Sequence, residues 1–261
     1  MPIPDDSLLD RKWSLVAFDL DDTLAPSKSA LPPQMAVALQ ELLDVVPVAV
    51  ISGGAFQQFE SQLLEGLDAT ADALDGLHLL PTCGTQYLRH RAGELTEVYA
   101  KTLSDDERGR AIEALTSRAK ELGLWEEQTW GDVIEDRGSQ ITFSALGQQA
   151  PLEEKRAWDP TGEKKARLAT QVQELLGDLE VRSGGSTSVD ITAAGVDKAY
   201  GMNALVSQTG IPREEMLFIG DRLDVGGNDY AVKEAGFATY PVGGWEDTVR
   251  AINRLVRAAN A

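Results

Sequence analysis

Leu15-Val16-Ala17-Phe18-Asp19-Leu20-Asp21-Asp22-Thr23-Leu24 is an apolar run that ends in three carboxylates within four positions, followed by a hydroxyl. The apolar stretch Trp13 to Asp19 is rich in β-formers and reads as a strand buried on both faces. Carboxylates repel one another, and a buried one is costly without a partner. A strand tip that ends this way suits a metal ion, a nucleophile or both.

Outward from this strand, the pattern is that of alternating strands and helices. Pro32-Pro33 opens a helix with apolar positions Met35, Val37, Leu39, Leu42 and Leu43. Val46 to Ile51 reads as a second buried strand. Ser52-Gly53-Gly54 turns into a helix on which Phe56, Phe59 and Leu63 share a face, and Leu77 to Leu80 is a short third strand. Such alternation predicts a parallel α/β sheet.

After about Thr85 the rhythm changes. Gln86 to Tyr99 reads as a hairpin around Arg91-Ala92-Gly93, and Ser104 caps a helix from Asp105 to Leu122. Val133 to Ser144 alternates like one strand, Ala166 to Leu176 is helical, and Glu180 to Arg182 and Ser186 to Thr192 are short strands. The α/β pattern returns with a helix at Ala199 to Ser207. Strand Met216 to Ile219, helix Tyr230 to Ala235, strand Phe237 to Val242 and helix Glu246 to Ala259 follow. The expected architecture is α/β: a Rossmann-like parallel sheet core, 1–85 and 190–261, with helices on both faces. It is interrupted by an α+β insertion, 86–189.

The chain has 261 residues, 43% hydrophobic and 25% charged, as in an ordinary globular protein. A net charge of −18 argues against nucleic acid or an anionic membrane as partner. Any anionic substrate must therefore be met by a local cationic pocket or a metal. The one cysteine, Cys83, cannot form an internal disulfide, so a reducing compartment is expected. The segment Met1 to Asp6 lacks the basic and apolar regions of a signal peptide, and Val45 to Ile51 is too short to cross a bilayer. A cytoplasmic location follows as an expectation.

Four groups of residues fall at strand ends, where open α/β sheets place their ligands. Asp19 and Asp21 can both face the crevice at the end of the first strand. One carboxylate can attack phosphorus and the other can shuttle a proton. Ser52 and Gly53 offer a hydroxyl and bare N–H groups at a helix start, fit for a phosphoryl oxygen. Lys198 opens a helix and would offset the charge of Asp19 and a phosphoryl group. Asp221, at the tip of Met216 to Gly220, suits a Mg²⁺ ligand, and Gly226-Gly227-Asn228-Asp229 lets a loop pass close to it. Alone, Asp21-Asp22-Thr23 reads equally well as a capped turn, and Ser52-Gly53-Gly54, Lys198 and Gly226-Gly227-Asn228-Asp229 read better as a plain turn, a solvated helix residue and a turn. Their joint order along the chain is what carries the chemistry.

Phe18-Asp19-Leu20-Asp21-Asp22-Thr23-Leu24, Ile51-Ser52-Gly53, Lys198 and Gly220-Asp221…Asn228-Asp229 resemble the four motifs of the haloacid dehalogenase superfamily of phosphotransferases. The resemblance implies that Asp19 is the nucleophile and Asp21 the general acid/base. It implies that Ser52, Gly53 and Lys198 bind the phosphoryl group. Asp19, the carbonyl of Asp21, and Asp221 would hold Mg²⁺, supported by Asn228 and Asp229. A carboxyl at position 21 favours phosphate esters over the superfamily's other substrates. The insertion lies between the second and third motifs, as in the branch with a type-II cap. Within it, the long loop Gly220 to Tyr230, the return segment Gly184 to Lys198 and the stretch Arg137 to Arg156 are most similar to the eukaryotic-type phosphomannomutases.

That group clamps a second phosphate with three cap arginines. The matching positions here are Arg137, Gln148 and Lys155, and an arginine is not equivalent to lysine in bidentate phosphate binding. Ser188 and Asp190 match substrate-contacting positions, and Lys28 matches an arginine near the phosphate. The weakened clamp points to a Mg²⁺-dependent phosphohydrolase acting on a small phosphorylated metabolite, a sugar phosphate by expectation. Phosphomannomutase activity is the alternative. A catalytically silent binding protein would have lost Asp19, Asp21, Lys198 or Asp221, and all four are present. The protein is expected as a monomer or a cap-mediated homodimer.

Overall fold

In a computed structural model, which describes residues 4–261, the chain forms two compact units. One runs to Ala100 and resumes at Asp197; the other is Lys101–Val196. Met1 to Ile3, part of the segment read for a signal peptide, lie outside the described residues. No helix among the described residues is long and apolar enough to cross a membrane.

The first unit begins with β1 (Leu15–Phe18), α1 (Pro33–Leu43), β2 (Val48–Ile51), α2 (Phe56–Gln62), the single turn α3 (Ala71–Leu74) and β3 (Leu77–Leu80). A hairpin follows, β4 (Gln86–Arg91) and β5 (Glu94–Ala100). Here the structure corrects the sequence reading. The hairpin belongs to the core sheet and not to the insertion, because β4 pairs antiparallel with β3. Tyr87 and Leu88 are buried, and the Tyr87 hydroxyl lies 2.7 Å from His78 Nδ1 on β3. Alternation identified the strands but does not encode which sheet they join.

The second unit contains α4 (Asp105–Glu121), β6 (Ile134–Asp136), β7 (Gln140–Ser144), α5 (Leu152–Trp158), α6 (Glu163–Gln173), β8 (Leu179–Ser183) and β9 (Ser188–Ala193). Ser104 and Glu107 form a reciprocal capping box on α4. The stretch expected as one strand, Val133 to Ser144, is two. The chain reverses at 137–139, where Arg137 N–H donates to the Gln140 carbonyl and Asp136 Oδ1 accepts from Gly138 N–H. The four-stranded order is β6-β7-β9-β8. Ile141, Phe143, Val189 and Ile191 form its apolar face, clustered with Ala111, Leu115, Leu168 and Val172 of α4 and α6. Alternation places Gln140, Thr142, Ser144, Ser188, Asp190 and Thr192 on the opposite face.

The chain returns to the first unit with α7 (Lys198–Thr209), β10 (Met216–Gly220), α8 (Tyr230–Glu234), β11 (Ala238–Pro241) and α9 (Trp245–Asn260). The seven-stranded order is β11-β10-β1-β2-β3-β4-β5. Its first five strands are parallel and the hairpin closes one edge antiparallel. Residues of β1 alternate between two cores. Val16 and Phe18 pack with Met35 and Leu39 of α1 and Ile252 of α9. Leu15 and Ala17 pack with Met202 and Leu205 of α7 and Val232 of α8. Helices thus cover both faces, and the tips of β1, β2 and β10 lie side by side at one end.

Candidate active site

Asp19 directly follows β1, its N–H donating to the Ile219 carbonyl of the neighbouring β10. Asp221 directly follows β10. Lys198 is the first residue of α7, whose N-cap is Asp197, the side chain accepting from Tyr200 N–H at 2.9 Å. Three elements therefore deliver three charged side chains to the carboxyl end of the sheet.

The Lys198 ammonium is fully buried between two carboxylates, 2.5 Å from Asp19 Oδ1 and 2.6 Å from Asp229 Oδ1. Asp229 is itself completely buried, and its Oδ2 accepts from Arg222 N–H at 3.0 Å. A Cβ on Gly220 would lie 2.3 Å from that same oxygen, so only glycine at the end of β10 lets Asp229 fold back beneath it. The buried Thr23 hydroxyl lies 3.4 Å from Asp221 Oδ1.

One oxygen each from Asp19, Asp221 and Asp229 lies within 4.8 Å of the others. Burial pushes the carboxyl of Asp19 well up, and Asp229 and Asp221 push the same way while Lys198 opposes them. Asp221 is raised by burial and by the charge of Asp229. Burial disfavours charge on Lys198, but the two carboxylates outweigh it and hold the ammonium above the ordinary lysine range. Three carboxylates against one ammonium leave an excess of negative charge in a buried place. An all-oxygen donor set of this kind fits a hard divalent cation such as Mg²⁺.

The sequence-predicted residues divide in two. Asp19, Lys198 and Asp221 come together. Asp229, expected as a supporting residue behind the metal ligands, is a member of the carboxylate group itself, whereas Asn228 is exposed. The Asp21 side chain is not one of the three gathered oxygens. Its carboxylate accepts instead from Lys28 N–H at 2.7 Å, Gln58 Nε2 at 2.7 Å and Gln62 Nε2 at 3.3 Å. Ser52 is buried at the end of β2, with Oγ accepting from Gly54 N–H at 3.1 Å; Gly53 lies between them. Lys28 is exposed, and its main-chain N–H is the donor to Asp21.

Each candidate of the second unit makes polar contacts within that unit. Asp190 Oδ1 accepts from Thr142 Oγ1 at 2.7 Å and from Gln140 Nε2 at 3.0 Å. Ser188 Oγ is 3.1 Å from Ser144 Oγ, to which Gln148 Nε2 donates at 2.8 Å. Lys155 Nζ donates to the Gln148 carbonyl at 2.8 Å. The Arg137 guanidinium, its side chain 9% exposed, is ion-paired to Glu135 at 2.7 Å.

Gln58 and Gln62 escaped the sequence reading. Their signal was available: two glutamines four apart on a short helix that follows Ser52-Gly53-Gly54 directly. The Thr23 hydroxyl also reaches a site carboxylate.

The chain is similar to known proteins over most of its length. The model of the eukaryotic phosphomannomutase family matches residues 35–258, a span that begins after the Asp19 motif. Phosphomannomutase of Schizosaccharomyces pombe is 26% identical over 224 residues, covering 84% of each chain. Human phosphomannomutase 1 is 25% identical over 224 residues, 84% of this chain and 82% of its own. Among solved structures, N-terminally truncated IMP-nucleotidase of Plasmodium falciparum superposes with a TM-score of 0.73 at 15% identity, covering 96% of this chain and 72% of that one. A haloacid dehalogenase-like hydrolase from Bacteroides thetaiotaomicron gives 0.61 at 16% identity, covering 94% and 100%. With the family model spanning most of the chain and the motif carboxylates gathered around Lys198, the protein belongs to the eukaryotic phosphomannomutase family of haloacid dehalogenase-type phosphotransferases.

Proposed function

We propose that the chain is a Mg²⁺-dependent phosphohydrolase acting on a small sugar phosphate through an aspartyl-phosphate. An oxygen of Asp19 attacks phosphorus, the bond to the sugar oxygen breaks, and that oxygen takes a proton from the Asp21 carboxyl. Water then attacks phosphorus, giving its proton to Asp21, and the bond to Asp19 breaks to release inorganic phosphate. Lys198 offsets charge on Asp19 and the phosphoryl oxygens, with Ser52 and Gly53 as donors to those oxygens. Asp19, the carbonyl of Asp21, Asp221 and Asp229 would hold Mg²⁺, which supplies charge neutralisation to the phosphoryl group. The unit Lys101–Val196 is assigned the role of cap, with Ser188 and Asp190 as its residues for the sugar.

The observation that favours water as acceptor is the state of the second-phosphate positions. A mutase must hold a bisphosphate in two orientations, one phosphate at Asp19 and the other on the cap. Arg137 is already neutralised by Glu135, position 148 is an uncharged amide, and Lys155 is engaged with a backbone carbonyl. The family match favours phosphomannomutase as the second reading. Incubation with mannose 1-phosphate, glucose 1-phosphate and their 1,6-bisphosphates separates the two. Stoichiometric phosphate release is expected; isomer formation without net release would sink the hydrolase reading.

A further inference from the structure

We infer that Gln58 and Gln62 are positioning residues that hold the Asp21 carboxyl group in place for proton transfer, an inference that rests on the phosphohydrolase reading above. Both lie on α2, four residues apart and so on one helical face. Gln58 Nε2 reaches Asp21 Oδ2 at 2.7 Å and Gln62 Oε1 at 2.9 Å. Because Gln62 Oε1 accepts from Gln58, its own amide nitrogen faces Asp21 Oδ1, 3.3 Å away. The two amides thus orient each other, and each places an N–H donor on a different carboxylate oxygen.

Two details show that this arrangement is built and not incidental. Gln62 is only 2% exposed, in a helix whose other buried residue is Phe59. An apolar side chain would fill such a position at lower cost, and a buried amide needs its partners. Its side-chain partners are Asp21 and Gln58. Second, a Cβ on Gly54 would lie 2.1 Å from Gln58 Oε1. The second glycine of Ser52-Gly53-Gly54 is therefore the space through which Gln58 passes toward Asp21. From the other side, Lys28 adopts a left-handed backbone (φ 54) and directs its N–H to Asp21 Oδ1 at 2.7 Å. Asp21 is thereby fixed between the loop that follows β1 and the helix that follows β2. It stands apart from the three carboxylates gathered at Asp19.

The leaving group provides the test. A sugar alkoxide needs a proton as it departs, whereas p-nitrophenolate does not. Misplacing Asp21 should therefore slow formation of the aspertyl-phosphate from a sugar phosphate and spare p-nitrophenyl phosphate. Gln58→Met and Gln62→Met keep volume and remove the donors. Each is expected to lower kcat/KM for the best hexose phosphate by about 10- to 100-fold, a fraction of a full general-acid effect, and to change that for p-nitrophenyl phosphate by less than about 3-fold. In an Asp21→Asn background the same substitutions should have no further effect on the hexose phosphate. Gln57→Met, on the exposed side of the helix, is the control and should match wild type. Equal loss on both esters, with wild-type activity intact, would overturn the inference alone and leave a structural role. So would unchanged or increased sugar-phosphate activity in Gln58→Met, which is half-buried and the safer of the two for folding. A wild-type enzyme that releases phosphate from neither ester in Mg²⁺ would overturn the phosphohydrolase reading and this inference with it.

Discussion

Replacing Lys198 by methionine keeps the length of the side chain and removes its charge. In the wild type that charge is 1% exposed and lies 2.5 Å from one buried carboxylate and 2.6 Å from another. Removing one partner of a buried ion pair typically costs roughly 3–5 kcal/mol, because the remaining charge is left without compensation. Here two carboxylates are left, with Asp221 nearby, so the upper half of that range applies at neutral pH and without Mg²⁺. At about 2–4 °C per kcal/mol for a unit of this size, the first unit should melt roughly 8–20 °C lower. The pH dependence has a definite sign. The folded-state pKa of Lys198 is raised, so its contribution is fully present below the unfolded lysine value and is not lost anywhere near neutrality. Decay on the acid side comes from its partners. Burial and the neighbouring carboxylates already push Asp19 up, and without Lys198 nothing opposes them. The variant therefore protonates Asp19 at higher pH, and the stability gap between variant and wild type narrows as pH falls.

Calorimetry of both proteins at pH 8 and pH 5 measures this directly. Under the Mg²⁺ assignment, saturating Mg²⁺ should restore part of the variant's loss, about 2.7 kcal/mol at 100 times its dissociation constant. A loss below about 1 kcal/mol, or one equal at the two pH values, would refute the account of Lys198 as the counter-charge of a buried carboxylate cluster.

Asp19→Asn removes the proposed nucleophile while keeping its volume, and phosphate release from any ester should fall by at least about 10⁴-fold; residual turnover near wild type in a Mg²⁺-containing assay would remove Asp19 from the chemistry. His78, 4% exposed, is held down to about 4 by burial and the charge of Arg89, against an ordinary value of 6.5. A depressed histidine contributes stability above its unfolded pKa that is lost as pH falls from 6.5 toward 4, here about 3 kcal/mol. Urea midpoints of wild type and His78→Gln should therefore converge over that window, and a constant difference would contradict it. Glu135→Gln releases the charge of Arg137. It should lower KM for a hexose 1,6-bisphosphate by about 3- to 10-fold with little change for a monophosphate, whereas equal effects on both would detach Arg137 from the second phosphate.

The strands of the core were legible because their apolar runs are short, β-rich and each bounded by a turn. Asp19, Lys198 and Asp221 were legible because each sits at the end of such a run or the start of a helix. Three things were not. The hairpin at 86–100 shows its two strands in sequence, but its attachment to β3 depends on Tyr87 meeting His78, a tertiary contact. The strand read through Val133 to Ser144 hid a reversal at 137–139, because β6 is only three residues long and too short to show that the face of Ile134 and Asp136 continues out of phase as Ile141 and Phe143. Asp229 reads from its motif as a support behind the metal ligands and not as a partner of Lys198. Its place beside Lys198 follows from the loop closing on itself, with Asp229 N–H donating to the Arg222 carbonyl.

Asp19 and Asp21 are two residues apart, a spacing that on a continuing strand would aim both side chains at the same place. The strand does not continue. It ends at Phe18, and by Asp22 the backbone is left-handed (φ 58), with Asp22 N–H donating to Ala25 in a tight loop. The two carboxylates therefore diverge into different surroundings. Asp19 is buried beside an ammonium and two further carboxylates, while Asp21 is only partly buried and meets a main-chain N–H and two side-chain amides. Two identical groups placed in unlike environments are suited to unlike tasks. The first environment favours a group that must face a phosphoryl centre with its charge balanced. The second keeps a carboxyl clear of that cluster and fixed in direction, as a proton carrier to and from an alcohol requires. The end of the strand at Phe18, more than the spacing of the motif, is what would separate the proposed nucleophile from the proposed acid.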